Sequence, residues 1–186
     1  LAMKSPNIST VRVDGGRNAP STPQSADGEV MLDILIAGAV APKARIAVYF
    51  APNTDKGFLD ALTMAIHDKT NKPSVISISW GSAESNWTTQ AMTSFDQALQ
   101  TAAALGVTVC AAAGDNGSGD AVNDGKQHVD FPASSPFMLS CGGTKLLASG
   151  KTITNESVWN DSTSSATGGG VSDFFALPDY QKAANV

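Results

Sequence analysis

From Asp27 to Ala112 the chain alternates two apolar rhythms. Residues 28–40 (GEVMLDILIAGAV), 56–68 and 88–105 have the length and spacing of helices, while Arg45–Phe50 (RIAVYF), Val75–Trp80 (VISISW) and Val107–Ala112 (VTVCAA) are short β-branched or apolar runs of strand length. Helices and strands taken in turn predict a parallel sheet covered on both faces. Punctuation agrees with this order. Pro42 closes the first helix, Asn53, Thr54 or Asp55 can cap the second, and Gly106 ends the third. Ahead of these elements lies one alternating run, Ile8–Val13, followed by Gly, Pro and Ser-rich loop. Behind them come a Gly, Asn and Asp-rich loop over 113–136, the apolar run Phe137–Cys141, and a polar region through Gly170 with weaker strand signals. No internal repeat is visible.

Composition narrows the function classes. The 186 residues are 42% hydrophobic and 16% charged, which is enough for one α/β core and no more than one domain. A net charge of -5 with no run of Lys or Arg argues against a nucleic-acid partner or an anionic membrane surface and suits an acidic, extracellular or lumenal setting. No apolar run reaches the ~18–20 residues of a membrane span, and Leu1 opens neither an initiator Met nor a signal segment, so the chain reads as processed or excised. Cys110 and Cys141 end apolar runs and are expected as free thiols, although neighbouring parallel strands could bring them close. Sequons at Asn7, Asn86, Asn116, Asn155 and Asn160 matter only in a glycosylating pathway.

The candidate chemistry is acidic. Glu29 and Asp33 are four residues apart on the apolar first helix and so share a face. A solvated acidic first turn would explain them; a shared catalytic task is the alternative. Two further motifs, Ser79-Trp80-Gly81 and Ala112–Gly117 (AAGDNG), fall at carboxyl ends of predicted strands, where ligand sites of open parallel sheets gather. Taken singly, Asp115 is also a turn-forming Asp before Asn-Gly, Trp80 a core aromatic and Asp130 a loop Asp.

VISISWGS, VTVCAAAGDNGSGD, HVDFPASSP and CGGTKL, in this order between Val75 and Leu146, together resemble the subtilisin-like peptidases and, more closely, their acid branch, the sedolisins or serine-carboxyl peptidases. The resemblance runs from about Ser9 to Val186. It implies a subtilisin-like α/β fold, a parallel sheet flanked by helices and incomplete in this chain. Glu29 matches the family's catalytic base, Asp33 the Asp that orients it, and Asp115 the oxyanion-hole Asp. Ser79, Trp80, Gly81, Ala133 and Ser134 would wall the groove for an extended protein or peptide substrate, and Asp130 matches a carboxylate that shapes preference for basic or polar side chains. His67 and His128 stand in no subtilisin-like His motif.

These residue types suit acid chemistry. A carboxylate can accept a serine proton where an imidazole would already be protonated, two adjacent carboxyls titrate as a unit, and an oxyanion donor at Asp115 must carry its proton. The family nucleophile sits in a Gly-Thr-Ser motif that this sequence lacks: Gly142–Thr144 is followed by Lys145, and neither Ser140 nor Ser172 has that context. The resulting expectation is a partial catalytic domain over 1–186 that lacks the family's first strand, the nucleophilic serine and the calcium site, and is inactive without a second chain or C-terminal fragment carrying Gly-Thr-Ser. Calcium is implied by the resemblance alone. Secretion into an acidic medium follows from the same likeness. An inactive peptide-binding or inhibitory module, and a non-proteolytic α/β domain with a chance acidic pair, are the alternatives.

Overall fold

The computed structural model describes residues 6–184, and the chain divides into two compact units, Leu1–Ser74 and Val75–Val186. In the first unit, β1 (Asn7–Arg12) and β2 (Arg45–Phe50) pair in parallel, with Asn7 opposite Arg45 and Arg12 opposite Phe50. The crossover between them contains α1 (Ala26–Val40). Ser25 starts this helix: its backbone is extended, and its Oγ accepts the Asp27 N–H at 3.2 Å. Asp27 and Glu29 then sit in the first turn, at the positive end of the helix dipole.

α2 (Asp55–His67) begins at Thr54, whose Oγ1 accepts the Gly57 N–H at 3.0 Å, and it buries Leu62, Ala65 and Ile66. Its far end is tied to β2. The Asp68 carboxylate accepts the N–H groups of Thr70 (2.7 Å) and Asn71 (2.9 Å) and the hydroxyl of Tyr49 on β2 (2.8 Å). The Asn71 backbone and side-chain donors, then Tyr49, hold that carboxyl well below the usual carboxylate range.

The second unit is built on β3 (Val75–Ile78), after which β4 (Ser82–Ala83) and α3 (Thr89–Ala104) lead into β5 (Thr108–Ala112). The strand expected to reach Trp80 ends at Ile78, since Ser79–Gly81 leave the ladder and β4 pairs elsewhere. Its partner is β6 (Asp130–Phe131), antiparallel, with Ala83 opposite Asp130. β7 (Leu139–Cys141) completes a parallel sheet of order β3-β5-β7. The region of weak strand signals holds an exposed antiparallel hairpin, β8 (Thr144–Ser149) with β9 (Thr152–Val158), turning at Gly150 (φ 60°), then the short pair β10 (Asn160–Ser162) and β11 (Ser165–Ala166). A short helix, α4 (Asp179–Lys182), follows.

The core of this unit is aromatic. Met92, Phe95, Leu99 and Ala102 recur at helical spacing and are buried on α3. Phe95 meets Trp87 and Phe131 edge to face, with centroids 5.6 and 5.7 Å away, and Phe131 also stacks on Phe175 at 6.1 Å. Because Phe131 belongs to β6, this cluster fixes the strand that carries Asp130. The chain is thus α/β, with parallel and antiparallel pairings and helices of the predicted order. Among the described residues no helix is long and apolar enough to cross a membrane.

Candidate active site

In the first unit, Glu29 and Asp33 lie one turn apart on α1, and both are half-buried. Gly28 before them permits a close approach, because a Cβ there would stand 2.5 Å from the carbonyl oxygen of Pro23. The helix thus presents the pair as a fixed neighbour set, as its spacing predicts.

The second unit gathers the remaining sequence-predicted residues around the ends of β3, β5 and β6. Gly81 and Asp130 are in direct contact: a Cβ at Gly81 would lie 2.1 Å from Asp130 Oδ1. Only a glycine lets the turn after β3 pass that close to the carboxyl. Ser134 N–H donates to the Asp130 carbonyl at 2.9 Å, which winds the buried Ala133 and half-buried Ser134 back beside it. Ser79 is half-buried and Trp80 45% exposed, so Trp80 does not cap the core.

Asp115 is exposed on the turn after β5. Its carbonyl accepts the Ala166 N–H at 3.0 Å, and Gly114 O accepts the Gly168 N–H at 2.8 Å, so Thr167–Gly168 lie along this turn. Gly168 has no room for a Cβ, which would be 1.8 Å from Ala113 O. Behind the turn are two carboxyls of different character. Asp130 is 5% and Asp120 8% exposed, and Asp130 Oδ1 and Asp120 Oδ2 are buried without a hydrogen-bond partner among the described residues. Burial first, then the charges of Asp120 and Asp115, push Asp130 up to about 7. Burial also raises Asp120, while His128 pulls it down and Asp115 raises it again. Orphaned buried oxygens favour the protonated form, since an ionised one would have no compensation.

One carboxylate that sequence reasoning missed organises the neighbourhood. Glu84, 8% exposed in the 3-10 turn after β4, accepts the Ser134 hydroxyl and the Ser172 hydroxyl on Oε1, each at 2.6 Å, and the Asp173 N–H on Oε2 at 3.0 Å. Ser172 Oγ in turn accepts the N–H groups of Phe174 (3.1 Å) and Phe175 (2.7 Å). A cavity of about 210 Å³ opens against Glu84, His128, Asp173 and Phe174. These distances overturn the expectation of a chain inactive until a second chain supplies its serine. Carboxylate and serine hydroxyls already meet within this one chain, so neither a separate Gly-Thr-Ser partner nor a missing nucleophile-bearing fragment is needed to bring such groups together. No local signal could have revealed it, because Glu84 and its partners are 50 to 89 residues apart.

Among the described residues no group of three or more His, Cys, Asp or Glu side chains is placed to hold a metal ion.

An α/β fold with these strand-end turns and buried carboxyls is of the subtilisin-like kind. The model of the subtilase family (peptidase S8) matches residues 16–177, and the chain belongs to that family, on its sedolisin and kumamolisin-type side. It is 56% identical over 188 residues to kumamolisin of Bacillus sp. (strain MN-32), covering 100% of this chain and 34% of that protein. It is 32% identical over 185 residues to tripeptidyl-peptidase sed5 of Aspergillus fumigatus, covering 91% and 31%. The solved structure of Pseudomonas sedolisin, a serine-carboxyl proteinase complexed with pseudo-iodotyrostatin, superposes with a TM-score of 0.83 at 29% identity, covering 98% of this chain and 54% of that one. The chain therefore spans about a third of the length of these curated relatives. At the level of the family, membership supports an extracellular, acidic setting.

Proposed function

We propose that this chain serves peptide-bond hydrolysis at acid pH by serine–carboxyl chemistry, with proteins or peptides as substrates. The observation that carries the reading is Glu84, a buried carboxylate that holds two serine hydroxyls of its own chain at 2.6 Å beside a cavity. A carboxylate at that distance is within reach of the hydroxyl proton, the first requirement for turning serine into a nucleophile.

Within this reading Glu29 and Asp33 act as a pair on one helix face, and Asp115 serves the oxyanion that develops on the attacked carbonyl. Exposure of Asp115 at the mouth of the turn suits contact with substrate. Ser79, Trp80, Gly81, Ala133 and Ser134 wall the groove, with the buried Asp130 carboxyl packed against Gly81. The solved relative described as a serine-carboxyl proteinase supports the same chemistry. Secretion into an acidic medium completes the proposal. Calcium enters it only through the family, and no step runs through a metal.

The test is hydrolysis of casein and of N-terminally free and blocked peptides between about pH 3 and pH 8. Activity is expected in acid and should decline toward neutrality as carboxyls lose protons. Glu29→Gln, Asp115→Ala and Glu84→Gln should each lower the rate by roughly 10²-fold, the scale of losing one catalytic group. An optimum near pH 8, or full activity in folded Glu84→Gln and Glu29→Gln variants, overturns the assignment.

A further inference from the structure

Cys110 and Cys141, which the chemistry above does not use, stand on neighbouring strands of the three-stranded parallel sheet. Cys110 pairs with Leu139, and Ala112 pairs with Cys141. Side chains alternate faces along a strand, so Leu139 and Cys141 project on the same side as Cys110, and the two thiols form a diagonal pair. Cys141 Sγ donates to Leu139 O at 3.5 Å, and the thiol is close enough to Cys110 to raise it. Both cysteines are free; Cys110 is half-buried and Cys141 exposed. On the other flank, Ser77 lies opposite Cys110, and Ser79 follows two residues on, on the same face. A cavity of about 180 Å³ opens over this face, lined by Ser77, Ser79, Cys110, Ala112 and Cys141 among others.

We propose that Cys110 and Cys141 form a dithiol site for one soft, thiophilic cation of the two-coordinate type, held as a bridge between the two sulfurs. Three physical arguments select this ligand class. A two-residue offset across neighbouring parallel strands puts the Cα atoms roughly 8 Å apart, beyond the ~6.8 Å limit of ordinary disulfides, so direct oxidation is disfavoured while an inserted ion can span the gap. Thiolates select soft metals. No third His, Cys, Asp or Glu joins them among the described residues, which excludes ions that require four protein ligands, zinc among them.

Binding is an exchange without redox change. Each thiol gives up its proton, two sulfur–metal bonds form, and a divalent ion leaves a neutral dithiolate while two protons go to solvent. Burial and the adjacent Cys141 thiol raise Cys110, and because metal must displace thiol protons, affinity should increase as pH rises. The site opens beside Ser79, yet the inference does not depend on any catalytic role for that residue.

Mercuric chloride is the probe, with native mass spectrometry of the chain as the readout. The expected product is one mercury per chain, with the mass of one mercury atom less two hydrogens and no chloride retained. Cys110→Ser and Cys141→Ser should each instead hold a mercury that keeps one chloride, and should lose it to a competing monothiol roughly 10²-fold more readily, because the second ligand is no longer intramolecular. Two mercury atoms on the wild-type chain, each with its chloride, would overturn the bridge. So would a chain that loses two hydrogens and takes up no mercury, which is a disulfide. Should either variant fail to fold by circular dichroism, the wild-type mass alone decides.

Discussion

Asp130 shows how a single position combines close approach and charge. Its carboxyl is buried on β6, leaves no room for a Cβ at Gly81, and is raised from its ordinary 3.8 to about 7. A pKa raised on folding means that the protonated form is the one the fold prefers. The stability it contributes is therefore complete below about pH 4 and is lost as pH rises through about 7. Melting temperature should fall between about pH 4 and about pH 8, and Asp130→Asn should flatten that slope; an unchanged slope by calorimetry refutes the burial argument. Gly81→Ala tests the same contact sterically. Its Cβ would stand 2.7 Å from the backbone oxygen of Phe131 as well as 2.1 Å from Asp130 Oδ1, and backbone yields less readily than a side-chain tip. A loss of about 1–3 kcal/mol in urea denaturation is expected. The residue types Gly81 and Asp130 were legible in the sequence through their motifs. Their contact was not, because it joins β4's approach to a strand nearly 50 residues later.

Elements were read most successfully where their signals are local. α2 and α3 fall within a residue or two of their expected ends, because Thr54 and Thr88 cap them and Gly106, at φ 73°, stops the third helix. β2 matches Arg45–Phe50 throughout. Elements whose bounds the local signals set poorly share a cause. β3 stops short because pairing, not propensity, decides where a ladder ends, and β8–β9 pairs across polar residues whose alternation gives little apolar rhythm. α3 also shows what holds an element in place: Phe95 is fully buried against Trp87 and Phe131. Phe95→Ala should cost roughly 3–5 kcal/mol by removing the centre of that cluster. A loss below 1 kcal/mol, measured by the same denaturation, would mean the ring does not support β6.

On the scale of the whole molecule, Glu84 joins three segments that the chain keeps far apart: its own turn, the one after β6, and the Gly-rich loop ending at Ser172. The two serines differ in their duties. Ser172 Oγ receives two backbone N–H groups besides giving its proton to Glu84, whereas Ser134 Oγ bonds to Glu84. Ser172→Ala should therefore destabilise by about 1–3 kcal/mol and Ser134→Ala by less, since the former strands buried donors as well as an acceptor. Equal losses would show that the loop is not held through Ser172. The acidic net charge and the family assignment already pointed to acid chemistry from the sequence, and the motif order placed Glu29, Asp33 and Asp115 as its candidates. What failed was the inference drawn from one absent tripeptide, because a motif reports a familiar way of bringing serine to a carboxylate and not every way. Helix and strand identity, caps, charge balance and family were decided by neighbouring residues and motif order, which any reading of the chain can follow. The Glu84 cluster, the burial of Asp120 and Asp130, and the thiol pair arise only when remote segments pack, and such contacts leave no period or spacing along the sequence.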